Sequence, residues 1–431
     1  MEQGRSIDVL QGCFVRALAC SFFIFLISFF NPVTASASDP GSLEANSSLE
    51  ISVRLRPLVQ SSSGVTVAGH DLVVSNGRDI VSQSKGFRRL TFRFIKMNSS
   101  WNISDADSDR FLVSVPERKV DVEGASLRVD LRPATPHVRL IGAPNRLDLI
   151  GVMNLETYLE GVVAGEVPGD WPAEALKAQA VAARSFTLAK AKDRRANAPP
   201  WLFEATVSDQ VFDHDRVNQR ASAAVRATRG EVLFSSDSQV VAANYHSDCG
   251  GTTDEPSVIW GGHPTKNGTA TDSSCALNLK GGWRFVAEVT DLSNKLKSQN
   301  LLPAGFELAS LTVSRRSLGG RALDIKAASA SGKTTTFTGE RLRQALGYGE
   351  LKSTLFEIKT MSGVAKGLVG TQFEIAGRGF GHGTGLCQWG ARQLALGGKS
   401  YLEILSHYYP RLSVGAEPRP RAVTLGANAS P

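Results

Sequence analysis

Cysteine is scarce in this chain. There are five in 431 residues, and only Cys249, Cys275 and Cys387 lie beyond residue 20. Three are too few for a fold stapled by several disulfides. No C-x2–4-C pair is present, so the usual signature of a structural zinc site is missing. There is no Gly-x-Ser-x-Gly elbow, no His-Glu-x-x-His and no P-loop, which sets aside the hydrolases and NTPases that depend on them. No internal repeat is found. After Pro32 no stretch is apolar enough to cross a bilayer.

What remains is an ordinary globular composition, 42% apolar and 21% charged, long enough for two or three domains. The exception is the N-terminus. Arg5 and Arg16 precede the run "ALACSFFIFLISFF", and "ASA" at Ala35 to Ala37 follows. That order is a secretory signal peptide over residues 1–37, cleaved after Ala37. If uncleaved, it would be a membrane anchor, the one route to a membrane. A lipid anchor on Cys20 does not fit, because the apolar run follows that cysteine. The mature chain is therefore expected outside the cytoplasm, in the periplasm or cell envelope. Arg5 and Arg16 cancel Glu2 and Asp8, so the net charge of +7 belongs to the exported part. A mildly basic exported protein suits an anionic envelope polymer or a membrane surface, unless the charge serves only solubility. Nucleic acid is not a partner expected there.

The patterning predicts an α+β protein. Residues 38–48 read as a linker. Residues 49–148 alternate as short strands, with "LEISVRL", "LRVDLRP" and "HVRLIG", and with an Asn-Gly turn inside "VTVAGHDLVVSNGRDI". From Asn154 the period changes. Leu155, Leu159, Val162 and Val163 share one helical face, Asn154 is a plausible N-cap, and Gly165 and Pro168 mark the end. An alanine-rich helix follows, with Asp170 or Trp171 as its cap and Pro172 in the first turn. "GEVLF" and "SQVVAANYH" read as a hairpin across "SSDS". Helices are predicted over "GERLRQALG", "GLCQWGARQLAL" and "SYLEILSHYYP", the last with a Ser400–Glu403 capping box. Residues 411–431 read as a loose tail.

Three places carry candidate chemistry. Glu166 sits in "GEVP" at the end of an apolar helix, where apolar neighbours and the helix C-terminus both disfavour its charge. A carboxyl kept protonated near neutral pH is what a general acid needs; the alternative is a surface loop glutamate. The second place is "GRGFGHGTGLCQWGA", residues 377–391, with glycine at every second position from Gly377 to Gly385. Bare backbone lets two chains, or a chain and a sugar ring, touch. Trp389 can stack on a sugar, and His382 and Gln388 can bond hydroxyls; the alternative is a glycine-rich closing strand with Trp389 in the core. The third is "NYHSDCGG", where His246, Cys249 and Cys275 offer three zinc ligands. A Cys249–Cys275 disulfide, with Cys387 free, is the better reading in an oxidising compartment.

Taken in order, "LETYLEGVVAGEVPGDWPAEALKAQAVAARSFTLA", "ANYHSDCGGTT", "VIWGG", "LRQALG", "LKSTLFEI" and "GRGFGHGTGLCQWGARQLA" with "YLEILSHYYP" resemble the stage II sporulation protein D family, also called the amidase-enhancer (SpoIID/LytB) family. The resemblance covers about residues 150–410, and the catalytic domain it implies is drawn at 149–410. It implies a lytic transglycosylase of peptidoglycan glycan strands with a glycan groove, acting in cell-wall remodelling. It makes Glu166 the catalytic acid and places Gln179, Arg184, Gln210, His246, Ser247, His382 and Gln388 as substrate-binding candidates beside Trp389. The alternative it carries is a non-catalytic, glycan-binding enhancer of a cell-wall amidase, which would then be the partner. No cofactor is expected. The zinc of some members, held by Cys-x4-His-Cys before the "Q-V-[YF]" step, is not carried over, because "FEATVSD" stands there. Cys387 replaces the family's usual serine. Asp170 and Glu174, near Glu166 in sequence, leave plain hydrolysis open.

Overall fold

The computed structural model describes residues 49–58, 64–143, 146–193, 199–262, 267–276, 282–365 and 368–416. Residues 1–37, read as a signal peptide, and 38–48, read as a linker, lie outside them. The protein is α+β. Among the described residues, eleven strands join one sheet. Its order runs Phe203–Glu204, Glu50–Leu58, Arg146–Asn154, His137–Ala143, Lys119–Val129, Val65–Ser75, Phe87–Ile95, Ser100–Asp105, Phe111–Val115, with Ile80–Gln83 and Arg132–Pro133 as side branches. All neighbours are antiparallel except the first pair. The Asn-Gly turn is there, with the Asn76 side chain accepting from the backbone N–H groups of Arg78 and Asp79. Val65, Val67, Phe92, Trp101, Ile103 and Val138 alternate inward and are fully buried. This sheet does not stop at residue 148. The strand Arg146–Asn154 runs on into the first helix, and Ile51 and Val53 of its neighbour pack into the helical core.

The helices are α1 (Leu155–Glu166), α2 (Ala173–Lys192), α3 (Gln219–Ala227), α4 (Pro256–Trp260), α5 (Ser273–Ala276), α6 (Val289–Ser298), α7 (Gly339–Leu346), α8 (Gln388–Leu396) and α9 (Tyr401–Tyr408). Asn154 caps α1 by accepting from Thr157 N–H, and Leu155, Leu159, Val162 and Val163 are buried as their spacing predicts. Each such burial stabilises the fold by roughly 1.5–3 kcal/mol. Helix α2 begins one residue later than expected: Pro172 itself is the cap, without a side-chain bond. Its alanines allow close approach from several sides, and α1, α3, α8 and α9 all pack on it. No helix of the described residues is long and apolar enough to cross a membrane.

Two elements differ from the sequence reading. The expected hairpin across "SSDS" closes with one bridge, Phe234 to Val240. Glu231–Phe234 pairs instead with Ser413–Ala416, within the stretch read as tail. The buried Val232 and Leu233 need a partner strand there, and the chain after α9 supplies it. Residues 417–431 lie outside the described residues. Residues 283–377 build their own core from two three-stranded sheets with α6 and α7. Thr338 caps α7, and the Ser400–Glu403 capping box opens α9 as predicted.

Candidate functional site

Glu166 is the last residue of α1, half-buried in the wall of a cavity of about 810 Å³. The C-terminus of α1 supplies one wall, Val207 to Asp209 with Val211 a second, and Asn244 to Ser247 a third. Trp260 of α4, Glu340 and Arg343 of α7, the Phe380–His382 stretch and Gln388 complete it. Glu166 Oε1 accepts from the Val211 N–H at 2.7 Å and from Tyr245 Oη at 3.4 Å. Its Oε2 accepts from Gln388 Nε2 at 3.2 Å. Burial pushes the Glu166 carboxyl above the usual carboxylate range, and the bonds from Val211, Gln388 and Tyr245 pull it part of the way back. The carboxyl thus retains its proton to higher pH than a surface glutamate, while three donors stand ready for the anion.

The sequence candidates separate into distinct places. Gln388, the first residue of α8, touches Glu166 directly. Gln179 is buried behind it and accepts from Gln388 Nε2 at 3.4 Å, holding that amide in place. Gln210 lies one layer further back. It donates to Tyr245 Oη at 2.9 Å and accepts from Tyr158 Oη and Thr187 Oγ1. His246, Ser247 and His382 line the cavity. Arg184 does not reach it. It is fully buried, pairs with Glu156 through Nε and Nη2, and donates to the carbonyls of Val225 and Glu231, tying α1, α2 and α3 together. Trp389 is not a cavity wall either. Its ring meets Trp171 edge-on at 5.2 Å with Arg392 over both, and it packs on the helical core. Asp170 and Glu174 also miss the cavity; Glu174 binds Lys177 and the Tyr401 N–H.

Both histidines are neutral at neutral pH. Burial, with Arg343 and Arg321 adding to it, lowers His382 to about 3. Burial, with His382 and Arg321 adding to it, lowers His246 well below the ordinary imidazole value. His382 Nδ1 accepts from Thr384 N–H at 3.1 Å, which assigns its proton to Nε2. The His382 ring lies between His246 and Trp260, at 5.4 and 5.0 Å. Neither imidazole competes with Glu166 as the proton donor.

Several cavity residues escaped the sequence reading. Tyr245, beside the quoted His246, bonds the carboxyl. Arg343 lies over the Tyr348 ring at 4.5 Å and pairs with Glu340 at 3.6 Å. Asp209 is also in the wall, held by Lys190 and by the Glu204 N–H. The sequence predicted α7 as a helix but gave no sign that Arg343 faces a cavity.

The alternating glycines turn mostly inward. A Cβ on Gly379 would stand 2.9 Å from the Asp248 carbonyl, on Gly385 2.0 Å from the Asn244 carbonyl, and on Gly383 1.9 Å from the Arg321 guanidinium. Gly379, Gly381, Gly383 and Gly385 all have positive φ. The run therefore fits the chain against its own backbone; of the run's glycines, Gly381 lines the cavity. The cysteines also differ from expectation. Cys249, Cys275 and Cys387 are all free, buried thiols, with no S–S bond between Cys249 and Cys275.

Tyr245→Phe gives a first prediction. It removes one donor to the Glu166 anion, so the carboxyl should titrate higher still. Activity that needs the protonated acid is lost as pH rises through that value. The alkaline limb of the pH–rate profile should therefore move to higher pH, with a rate loss of less than about tenfold. An alkaline limb that stays in place would separate Tyr245 from the titration.

Comparison with known proteins places these residues. Residues 144–234 match the family described as Stage II sporulation protein, and residues 282–385 match a domain of unknown function (DUF8618). An uncharacterized protein of Brachyspira hyodysenteriae is 32% identical over 262 residues, 61% of this chain and 66% of that protein. The amidase enhancer of Bacillus subtilis is 30% identical over 294 residues, 58% of this chain and 39% of that protein. Stage II sporulation protein D of the same organism is 26% identical over 320 residues, covering 68% and 86%. The chain thus spans less than two thirds of the first two relatives.

Proposed function

We propose, from the membership of this chain in the stage II sporulation protein D family, that it is an exported lytic transglycosylase cleaving peptidoglycan glycan strands at Glu166. The observation that carries this reading is the carboxyl itself: desolvated, raised in pKa, and held by three donors in the wall of an open cavity. Protonated Glu166 gives its proton to the glycosidic oxygen between N-acetylmuramic acid and N-acetylglucosamine, and the C1–O bond breaks. The resulting carboxylate, stabilised by Val211 N–H, Gln388 and Tyr245, takes the proton of the muramoyl C6 hydroxyl. That oxygen closes on C1 as a 1,6-anhydro end, so no water is consumed. One carboxyl serves both steps because the substrate supplies the nucleophile, unlike the two-carboxylate glycosidases. The second carboxylates of the cavity support this division. Asp209 is engaged by Lys190, and Glu340 by Arg343. Arg343, His382 and Trp260 are the side chains placed to bind the sugars or their lactyl carboxylate.

A second reading rests on the relative named amidase enhancer. In it the cavity holds glycan and the protein recruits or activates a wall amidase. Incubating the purified protein with glycan strands, with and without an amidase, separates the two. The enzyme releases soluble fragments alone; release that occurs only when the amidase is added supports the enhancer.

A further inference from the structure

Behind the cavity, three thiols and a carboxylate converge. Cys249, Asp272, Cys275 and Cys387 each offer one ligand atom, and these atoms all lie within 4.8 Å of one another. All four residues are buried, with at most 2% of any exposed. They come from three segments: the loop after Tyr245–His246, α5 with the residue before it, and the cap of α8. In a tetrahedral zinc site with metal–sulfur bonds of about 2.3 Å, the ligand atoms stand roughly 3.8 Å apart. A small inward movement of side chains reaches that geometry.

We propose that Cys249, Asp272, Cys275 and Cys387 bind one divalent cation of the zinc type as a closed, structural site. The inference does not depend on the reaction assigned to Glu166. Its surroundings are those of thiolates. The backbone N–H groups of Cys249 and Gly390 donate to Cys387 Sγ at 3.3 and 3.4 Å, and the Gly251 N–H donates to Cys249 Sγ at 3.2 Å. Tyr408 Oη donates to Asp272 Oδ2 at 2.6 Å, and the Cys275 N–H to Oδ1 at 2.8 Å, which fixes the carboxylate as outer partners of a metal ligand do. Gly390 makes room for it: a Cβ there would stand 2.2 Å from Asp272 Oδ2. The fully buried Arg321 donates to the Cys249 carbonyl at 2.6 Å and adds a positive charge beside the cluster.

The charges fit as well. Three thiolates and a carboxylate with one divalent cation carry two net negative charges, which Arg321 and the N–H donors offset in part. Binding releases the thiol protons to solvent and changes no oxidation state. A disulfide between two of the sulfurs would instead leave the third thiol and the Asp272 carboxylate buried side by side with no shared ion. Soft sulfur ligands with one carboxylate, all four positions filled by protein, suit zinc in a structural rather than a catalytic site. The location gives it a purpose. Cys387 precedes Gln388, which holds the Glu166 carboxylate, and Cys249 follows the cavity residues His246 and Ser247. One ion would tie both walls together.

The test uses the full exported chain, isolated from the envelope and also refolded reduced with zinc chloride. Elemental analysis should give about one zinc per chain, and all three thiols should label only after denaturation with a chelator. Chelator should lower the melting temperature of the native protein. Asp272→Asn and Cys387→Ser should each weaken zinc affinity by at least about tenfold. Reloading the wild type with cobalt should give thiolate-to-cobalt absorption, which keeps the test independent of how the variants fold. A peptide joined through Cys249 and Cys275 in the envelope protein would overturn the proposal. So would a reduced chain that takes up neither zinc nor cobalt.

Discussion

Glu166→Gln is expected to abolish glycan cleavage while leaving the fold and glycan binding intact. The amide has the size of the carboxyl, its carbonyl can still accept from the Val211 N–H, and the Gln388 amide can turn to meet it. What it cannot do is release and recover a proton. Loss of a general acid–base group costs about a hundredfold to ten-thousandfold in rate, and here both roles fall on one residue. Stability should move the other way. Because the folded-state pKa of Glu166 is raised, its contribution to stability is fully present below the ordinary carboxyl pKa and is lost as pH rises through the raised value. Above that pH the wild type holds a desolvated carboxylate, and the neutral amide does not. The melting temperature of the variant should therefore equal or exceed that of the wild type, by a margin that grows with pH. Wild-type turnover in the variant would remove Glu166 from the reaction. A collapse in melting temperature would make it a structural residue.

Gly383→Val should cost the fold itself. The added Cβ would lie 1.9 Å from the Arg321 guanidinium, at a backbone φ of +78°. The left-handed backbone alone costs a side chain about 1–2 kcal/mol, more for a β-branched one. Displacing the fully buried Arg321 breaks its contacts with the buried Asp254 at 3.4 Å and with the Cys249 carbonyl. Breaking a buried pair of this kind costs about 3–5 kcal/mol. The sum is comparable to the whole stability of an ordinary domain. Gly398→Ala serves as the control. It has φ +86° but meets nothing within 4 Å, so it should pay only the backbone cost. Thermal unfolding of both variants decides. A Gly383 variant that melts normally yet fails to cleave would place that position on the substrate after all.

These two residues also mark what the sequence could and could not reveal. Helix α1 was legible because its evidence is local: a cap at Asn154 and four apolar residues on one face. The character of Glu166 was legible for the same reason, since an apolar helix end predicts a raised pKa. Its partners were not. Val211, Tyr245 and Gln388 stand 45, 79 and 222 residues away in the chain. The glycine spacing announced a bare backbone but not what it touches. Arg321 and the carbonyls of Asp248 and Asn244 take that place, and none of them has a sequence signature. Arg184 and Trp389 show the converse. A charged residue and an aromatic in the right motifs were read as substrate contacts, yet their bonds and rings serve the helix packing. Pairing Cys249 with Cys275 overlooked Asp272 and Cys387, because nothing in the spacing brings residue 387 to that loop.

The central claim is that one carboxyl cleaves the strand without water. It is tested most directly by digesting purified glycan strands with the protein alone in heavy-oxygen water and weighing the new ends. The account predicts 1,6-anhydro ends, lighter by one water than hydrolytic products and free of heavy oxygen. Reducing ends that carry heavy oxygen would contradict it and make the protein a hydrolase. No new ends at all, from a folded protein that binds the strands, would leave the cavity a binding site and the chain an enhancer.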